Sequence, residues 1–138
     1  MATIILYYSH SGHTKSLAKK LKKEKKADIF EIREVKKRNG FTAFMPGAFQ
    51  SIRMKRSEIE PLEADLSTYD EVVIMGPIWA GRPAPAVNSA IDLLPEGKTV
   101  SLICTAGGGG HDLSGTAALI TAKGCTVAET RSYGVTEL

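Results

Sequence analysis

The sequence has no long apolar run, and no stretch approaches the roughly 18 residues that a bilayer-crossing helix needs, so a membrane-spanning protein is set aside. Its start, Met1-Ala2-Thr3 leading straight into Ile4-Ile5-Leu6, lacks the basic opening, apolar centre and small-residue cleavage site of an export signal. A cytoplasmic location is the expectation. Cysteine is scarce: Cys104 and Cys125 both fall in segments that read as buried strands. A reducing compartment would keep such thiols free, so a disulfide framework is not expected. Acidic residues are sparse in one half only: residues 1–56 carry 14 Lys and Arg against 4 Asp and Glu, and the remainder carries 4 against 11. Much of the positive excess is a lysine run, Lys15, Lys19, Lys20, Lys22, Lys23, Lys25 and Lys26, on one helical stretch. Its ordinary role is a solvated helix face. Neither a nucleic-acid partner nor a membrane partner is expected from it.

Several nucleotide and phosphate motifs are also missing. There is no Gly-x-x-x-x-Gly-Lys-Ser/Thr and no Gly-x-Gly-x-x-Gly after the first strand, so a P-loop NTPase and a dinucleotide-binding domain recede. The first strand does not end in the acidic residues of a receiver domain, nor in the cysteine with a following arginine of a small tyrosine phosphatase.

What is present is an alternation of strand and helix signals over 138 residues, a length that fits a single domain spanning 1–138. Thr3–Tyr8 is a short apolar strand that stops at small polar residues, and Leu17, Ala18 and Leu21 then recur at helical spacing. Asp28–Arg33 reads as an outer strand, and Glu71–Gly76 and Lys98–Cys104 as buried ones, with a helix over Ala84–Leu94 between them. A helix over Asp112–Lys123 ends at Gly124, and Cys125–Tyr133 is the last strand. Between Lys36 and Asp70 an aromatic and methionine cluster, Phe41, Phe44, Met45, Phe49, Ile52 and Met54, suggests a short amphipathic helix around Ala48–Met54, either core filling or a lid. Five strands alternating with helices predict an α/β doubly wound parallel sheet, for which the order 2-1-3-4-5 places ligands beyond the carboxyl ends of the strands.

Three loops fall at such ends. Ser9-His10-Ser11-Gly12-His13-Thr14 follows the first strand and opens a helix. Hydroxyls, a glycine and unsatisfied N–H groups there suit a phosphate, although a simple N-cap has the same composition. Pro77, Ile78, Trp79, Ala80 and Gly81 follow the third strand and hold the sole tryptophan among prolines and glycines, where it can stack on a flat ring or simply pack. Thr105, Ala106, Gly107, Gly108 and Gly109 follow the fourth strand, a run in which backbone amides can approach a ligand edge or merely turn.

With strands one, three and four neighbours in that order, the chain resembles the flavodoxin-like family, whose phosphate loop reads Ser/Thr-x-Ser/Thr-Gly-x-Thr. Ser9, Ser11, Gly12 and Thr14 match each fixed position, and the stretch from Asp70 to Gly81 is similar to the family's third strand and flavin loop. The resemblance implies a five-stranded flavodoxin-like fold and one FMN held without a covalent bond. Ser9, His10, Ser11, Gly12, His13 and Thr14 would take its phosphate, and His13 stands where many members have asparagine. Pro77 to Gly81 would line one side of the ring, with Trp79 as its flanking aromatic. Thr105 to Gly109 would meet the other edge. His111 and Asp112 are candidates for proton transfer to reduced flavin, although Asp112 reads first as a helix N-cap. The resemblance implies an electron carrier working with redox partner proteins. An NAD(P)H-dependent quinone or flavin reductase and a non-redox phosphate-binding module are the alternatives.

Two departures qualify it. Carriers of this family are typically acidic, whereas this sequence has a pI near 8.9. No family-like terminal helix follows the fifth strand, so a sheet face is expected to be uncovered and a homodimer through it becomes an expectation.

Overall fold

The computed structural model describes residues 2–36, 50, 54–107 and 111–135. In chain order these form β1 (Thr3–Tyr7), α1 (His13–Lys25), β2 (Asp28–Glu31), a 3-10 turn (Leu66–Thr68), β3 (Glu71–Trp79), β4 (Arg82–Pro83), α2 (Pro85–Ile91), β5 (Thr99–Ala106), α3 (Ser114–Ala122) and β6 (Thr126–Gly134). The helix expected around Ala48–Met54 falls outside the described residues apart from Gln50 and Met54, as do Phe41, Phe44, Met45, Phe49 and Ile52.

The sheet runs β2-β1-β3-β5-β6, with all four neighbouring pairs parallel. Setting aside the two-residue β4, which pairs antiparallel to the end of β3, this is the expected 2-1-3-4-5 order. Alternation along the strands feeds two cores. Ile4 and Leu6 of β1, Val72 and Ile74 of β3, and Leu102 and Cys104 of β5 face α2 and α3. Ile5, Tyr7, Val73, Met75 and Ile103 face α1, which contributes Leu17, Ala18 and Leu21, the stripe visible in its sequence. Strands β1, β3 and β5 are buried on both sides, as central parallel strands are, whereas β6 is largely exposed. Among the described residues, no helix is long and apolar enough to cross a membrane.

Several element boundaries differ from expectation, most of them for a local reason. β3 continues past Gly76 to Trp79, because Ile78 and Trp79 pair with Pro83 and Arg82 across a two-residue turn. α2 starts at Pro85 rather than Ala84, since the residue before a proline is held extended; Ala84 has φ −58° and ψ 153°. Beyond Ile91 the chain tightens, Leu93 and Leu94 donating to carbonyls three residues back, so the α-helix stops short of Leu94. α3 likewise begins two residues after Asp112.

Candidate functional site

The first loop turns from β1 into α1 through Gly12, whose φ of 99° is the left-handed conformation that side chains resist. A Cβ at Gly12 would meet nothing within 4 Å, so the backbone angle rather than crowding calls for glycine. The Gly12 N–H donates to Ser9 Oγ at 3.1 Å, closing the loop on itself. α1 then begins with no side-chain cap and no acidic residue in its first turn. Its leading N–H groups therefore carry the positive end of the helix dipole without a carboxylate to answer it.

The second loop is a tight hairpin. Ala80 at φ 51° and Gly81 at φ 86° form its two central residues, both left-handed, as a type I′ turn requires. An alanine in that conformation costs about 1 kcal/mol or more, strain held at the tip of the loop. The hairpin sets Trp79 edge-on to Tyr8, with ring centroids 5.9 Å apart and planes at 80°, and edge-on to His10 at 6.0 Å and 88°. Gly76, where the hairpin leaves the sheet, sits against α2: a methyl group there would collide with the Val87 side chain.

The third loop leaves β5 at Thr105 and Ala106. Gly107 is described, while Gly108 and Gly109 lie outside the described residues. Thr105 Oγ1 lies 2.8 Å from Thr14 Oγ1, a buried bond that joins this loop to the first turn of α1. On the far side of the glycines the Asp112 N–H donates to the Gly81 carbonyl at 2.7 Å, fastening the third loop to the hairpin. Each loop is thus tied to both others.

Asp112 accepts from both the N–H and the hydroxyl of Ser114, at 2.9 and 2.6 Å, and these bonds hold its carboxyl below the usual carboxylate range. The capping role read from the sequence is therefore performed from one residue before the formal N-cap, Leu113. His111 Nε2 lies 2.6 Å from Ser132 Oγ and so anchors the loop to β6. Burial pushes the Cys104 thiol up to about 12, against a weaker opposing effect of a backbone hydrogen bond with Gly76. It is an inert packing group, as its place in a buried strand implied.

Pro77, Ile78, Trp79, Ala80 and Gly81 therefore stand together in one hairpin. Ser9, His10, Ser11, Gly12, His13 and Thr14 form the loop and helix start beside it, and Thr105, Ala106 and Gly107 complete the third side. Two neighbouring residues escaped sequence reasoning. Tyr8 donates to Glu34 Oε1 at 2.5 Å, and both are buried in the wall of a cleft of about 480 Å³ that Ser9, His10, Ile32 and Glu60 also line. No local pattern announces Glu34. It is brought in by an antiparallel bridge to Ile59, across a segment the sequence leaves without periodicity.

No protein-family model and no curated protein matches the sequence. Solved structures do match its fold. A flavoprotein from Lactobacillus acidophilus NCFM, solved in complex with FMN, is 25% identical, with a TM-score of 0.80 over 95% of this chain and 92% of that one. A candidate flavoprotein from Bacteroides eggerthii DSM 20697 shares 22% identity and a TM-score of 0.82, covering 95% and 87%. Two-electron reduced flavodoxin from Megasphaera elsdenii shares 17% identity and a TM-score of 0.59, covering 94% and 84%. Strand order, three interlocked loops at the carboxyl ends and these likenesses give the chain the flavodoxin-like fold.

Proposed function

We propose that the protein binds one FMN in the space its three loops surround and passes electrons through it to partner proteins. The observation that carries this reading is the mutual tethering of those loops, by the Thr14–Thr105 bond, the His10–Trp79 contact and the Asp112–Gly81 bond. The donor set suits a dianionic phosphate. Gly12 presents its turn in the left-handed conformation, hydroxyls of Ser9 and Ser11 stand in the loop, and the first turn of α1 has no acidic residue to repel an anion. The likeness to a flavoprotein solved with FMN supports the same ligand here.

When bound, the flavin supplies the redox chemistry, and the protein's part is to hold and tune it. Residues 9–14 would fix the phosphate, the 77–81 hairpin with Trp79 would present an aromatic edge to the ring system, and Thr105 to Gly107 would offer backbone groups to the opposite edge. His111 is tied to Ser132, so its role is to position the glycine loop rather than to move a proton.

Reconstitution tests the reading. The purified protein should take up one equivalent of FMN, with quenching of flavin fluorescence, and dithionite should reduce the bound flavin while NADPH alone leaves it oxidised. Rapid bleaching by NADPH with turnover of added quinone would instead identify a reductase. Failure to take up FMN at all would reduce the site to a phosphate-binding module.

A further inference from the structure

On the opposite flank of α1 from its loop, a groove of about 610 Å³ runs between the second half of the helix and β2. Its floor is apolar, formed by Tyr7, Ala27 and Ile29. Its rim is four exposed lysines: Lys19, Lys22 and Lys23 share one face of α1, and Lys26 follows them as the left-handed C-cap of the helix. Of the other α1 lysines, Lys25 reaches Glu71 at 3.6 Å. The four rim lysines pair with no carboxylate among the described residues. Glu24 is the one acidic residue in α1, so the i, i+4 pair Lys19–Lys23 repels, at about 0.2–0.5 kcal/mol. The lysines of the last turn answer the negative end of the helix dipole, but that role does not require them to ring an apolar hollow.

We propose that this groove docks an acidic amphipathic helix of a partner protein, its carboxylates pairing with the lysine rim and its apolar side chains entering the hollow. Charge complementarity fixes the sign of the partner, and the concave apolar floor fixes its form. A bilayer surface would need apolar side chains that project several ångströms outward, but those of α1, Leu17, Ala18 and Leu21, are turned into the core. A nucleic-acid backbone would use the ammonium groups and leave the floor empty. A helix laid in a groove uses both. None of the groove residues belongs to the three loops, so docking does not depend on FMN, and the two readings can fail separately.

The test uses the full chain, with and without FMN, and a fluorescein-labelled 18-residue peptide of glutamates with leucines at i, i+3, i+4 and i+7. Anisotropy should show saturable binding to both forms, weakened at least tenfold between 25 and 300 mM salt. It should also weaken at least tenfold in the variant carrying Lys19→Gln, Lys22→Gln, Lys23→Gln and Lys26→Gln, whose melting temperature should not fall. A peptide of the same composition with scattered leucines should bind at least tenfold less tightly. Equal binding by the quadruple variant, or by the scattered peptide, would overturn the proposal. So would a stronger lysine-dependent association with phosphatidylserine vesicles, with a DNA duplex or with a second copy of the chain in sedimentation.

Discussion

Thr14 and Thr105, 91 residues apart in sequence, share a buried hydroxyl–hydroxyl bond of 2.8 Å that joins the start of α1 to the end of β5. Both side chains are almost wholly buried, so neither hydroxyl has water as a substitute partner. Replacing one by valine leaves the other unsatisfied, at a cost of about 1–3 kcal/mol. Replacing both removes the unmet group as well as the bond. Thr14→Val and Thr105→Val should therefore each lower stability by that amount in urea unfolding, while the double variant loses less than the sum. A strictly additive pair would mean that the bond is not a coupling between the loops.

Gly76 tests how closely the sheet and α2 approach. A Cβ at that position would overlap the Val87 side chain, whose residue is fully buried. Gly76→Ala should destabilise by about 1–3 kcal/mol through overpacking. Adding Val87→Ala vacates the contested space, so the double variant should be more stable than the sum of the single losses predicts. Chemical denaturation of the four proteins measures this directly.

These two positions also mark where sequence reading succeeds and where it stops. Periodicity located β1, α1 and the central strands, because burial on both faces leaves continuous apolar runs and a helix with one covered face leaves Leu17, Ala18 and Leu21. Composition located the first loop, since Gly12 needs a left-handed backbone. The hairpin after β3 stayed hidden because its turn is Ala80-Gly81 rather than the asparagine or aspartate with glycine that signals type I′. The Thr14–Thr105 bond, the Tyr8–Glu34 pair and the His111–Ser132 anchor join residues 91, 26 and 21 positions apart. Such pairings depend on register and topology, which no local window contains.

Trp79 and His111 should separate on FMN affinity. The tryptophan stands in the hairpin beside His10 and offers a broad ring, whereas the imidazole is bonded to Ser132 on β6. Losing an aromatic contact of about 0.5–1.5 kcal/mol, together with its buried area, corresponds to roughly tenfold or more in dissociation constant. Trp79→Ala is expected to weaken FMN by at least that factor and Trp79→Phe by less. His111→Ala should stay within about threefold of the parent. Fluorescence titration of the flavin reads all three constants, and equal losses for Trp79→Ala and His111→Ala would remove Trp79 from the ring site.

Cys104 supplies the pH dependence. Burial raises its thiol from an ordinary 9.0 to about 12, because the thiolate would lose its hydration inside the sheet. The folded state therefore holds the proton to higher pH than the unfolded chain does. Its contribution to stability is complete below pH 9 and is lost as pH climbs from 9 towards 12, where the unfolded thiol ionises first. Cys104→Ser should remove this alkaline loss, at the expense of placing a hydroxyl in an apolar core, so Cys104→Ala is the cleaner comparison. Urea unfolding between pH 7 and 10.5 should show the parent falling more steeply above pH 9 than Cys104→Ala. In the native protein, reaction of this thiol with a disulfide reagent should be slow throughout pH 7–9. Rapid labelling assigned to Cys104 in that range would show an accessible thiolate and contradict its burial.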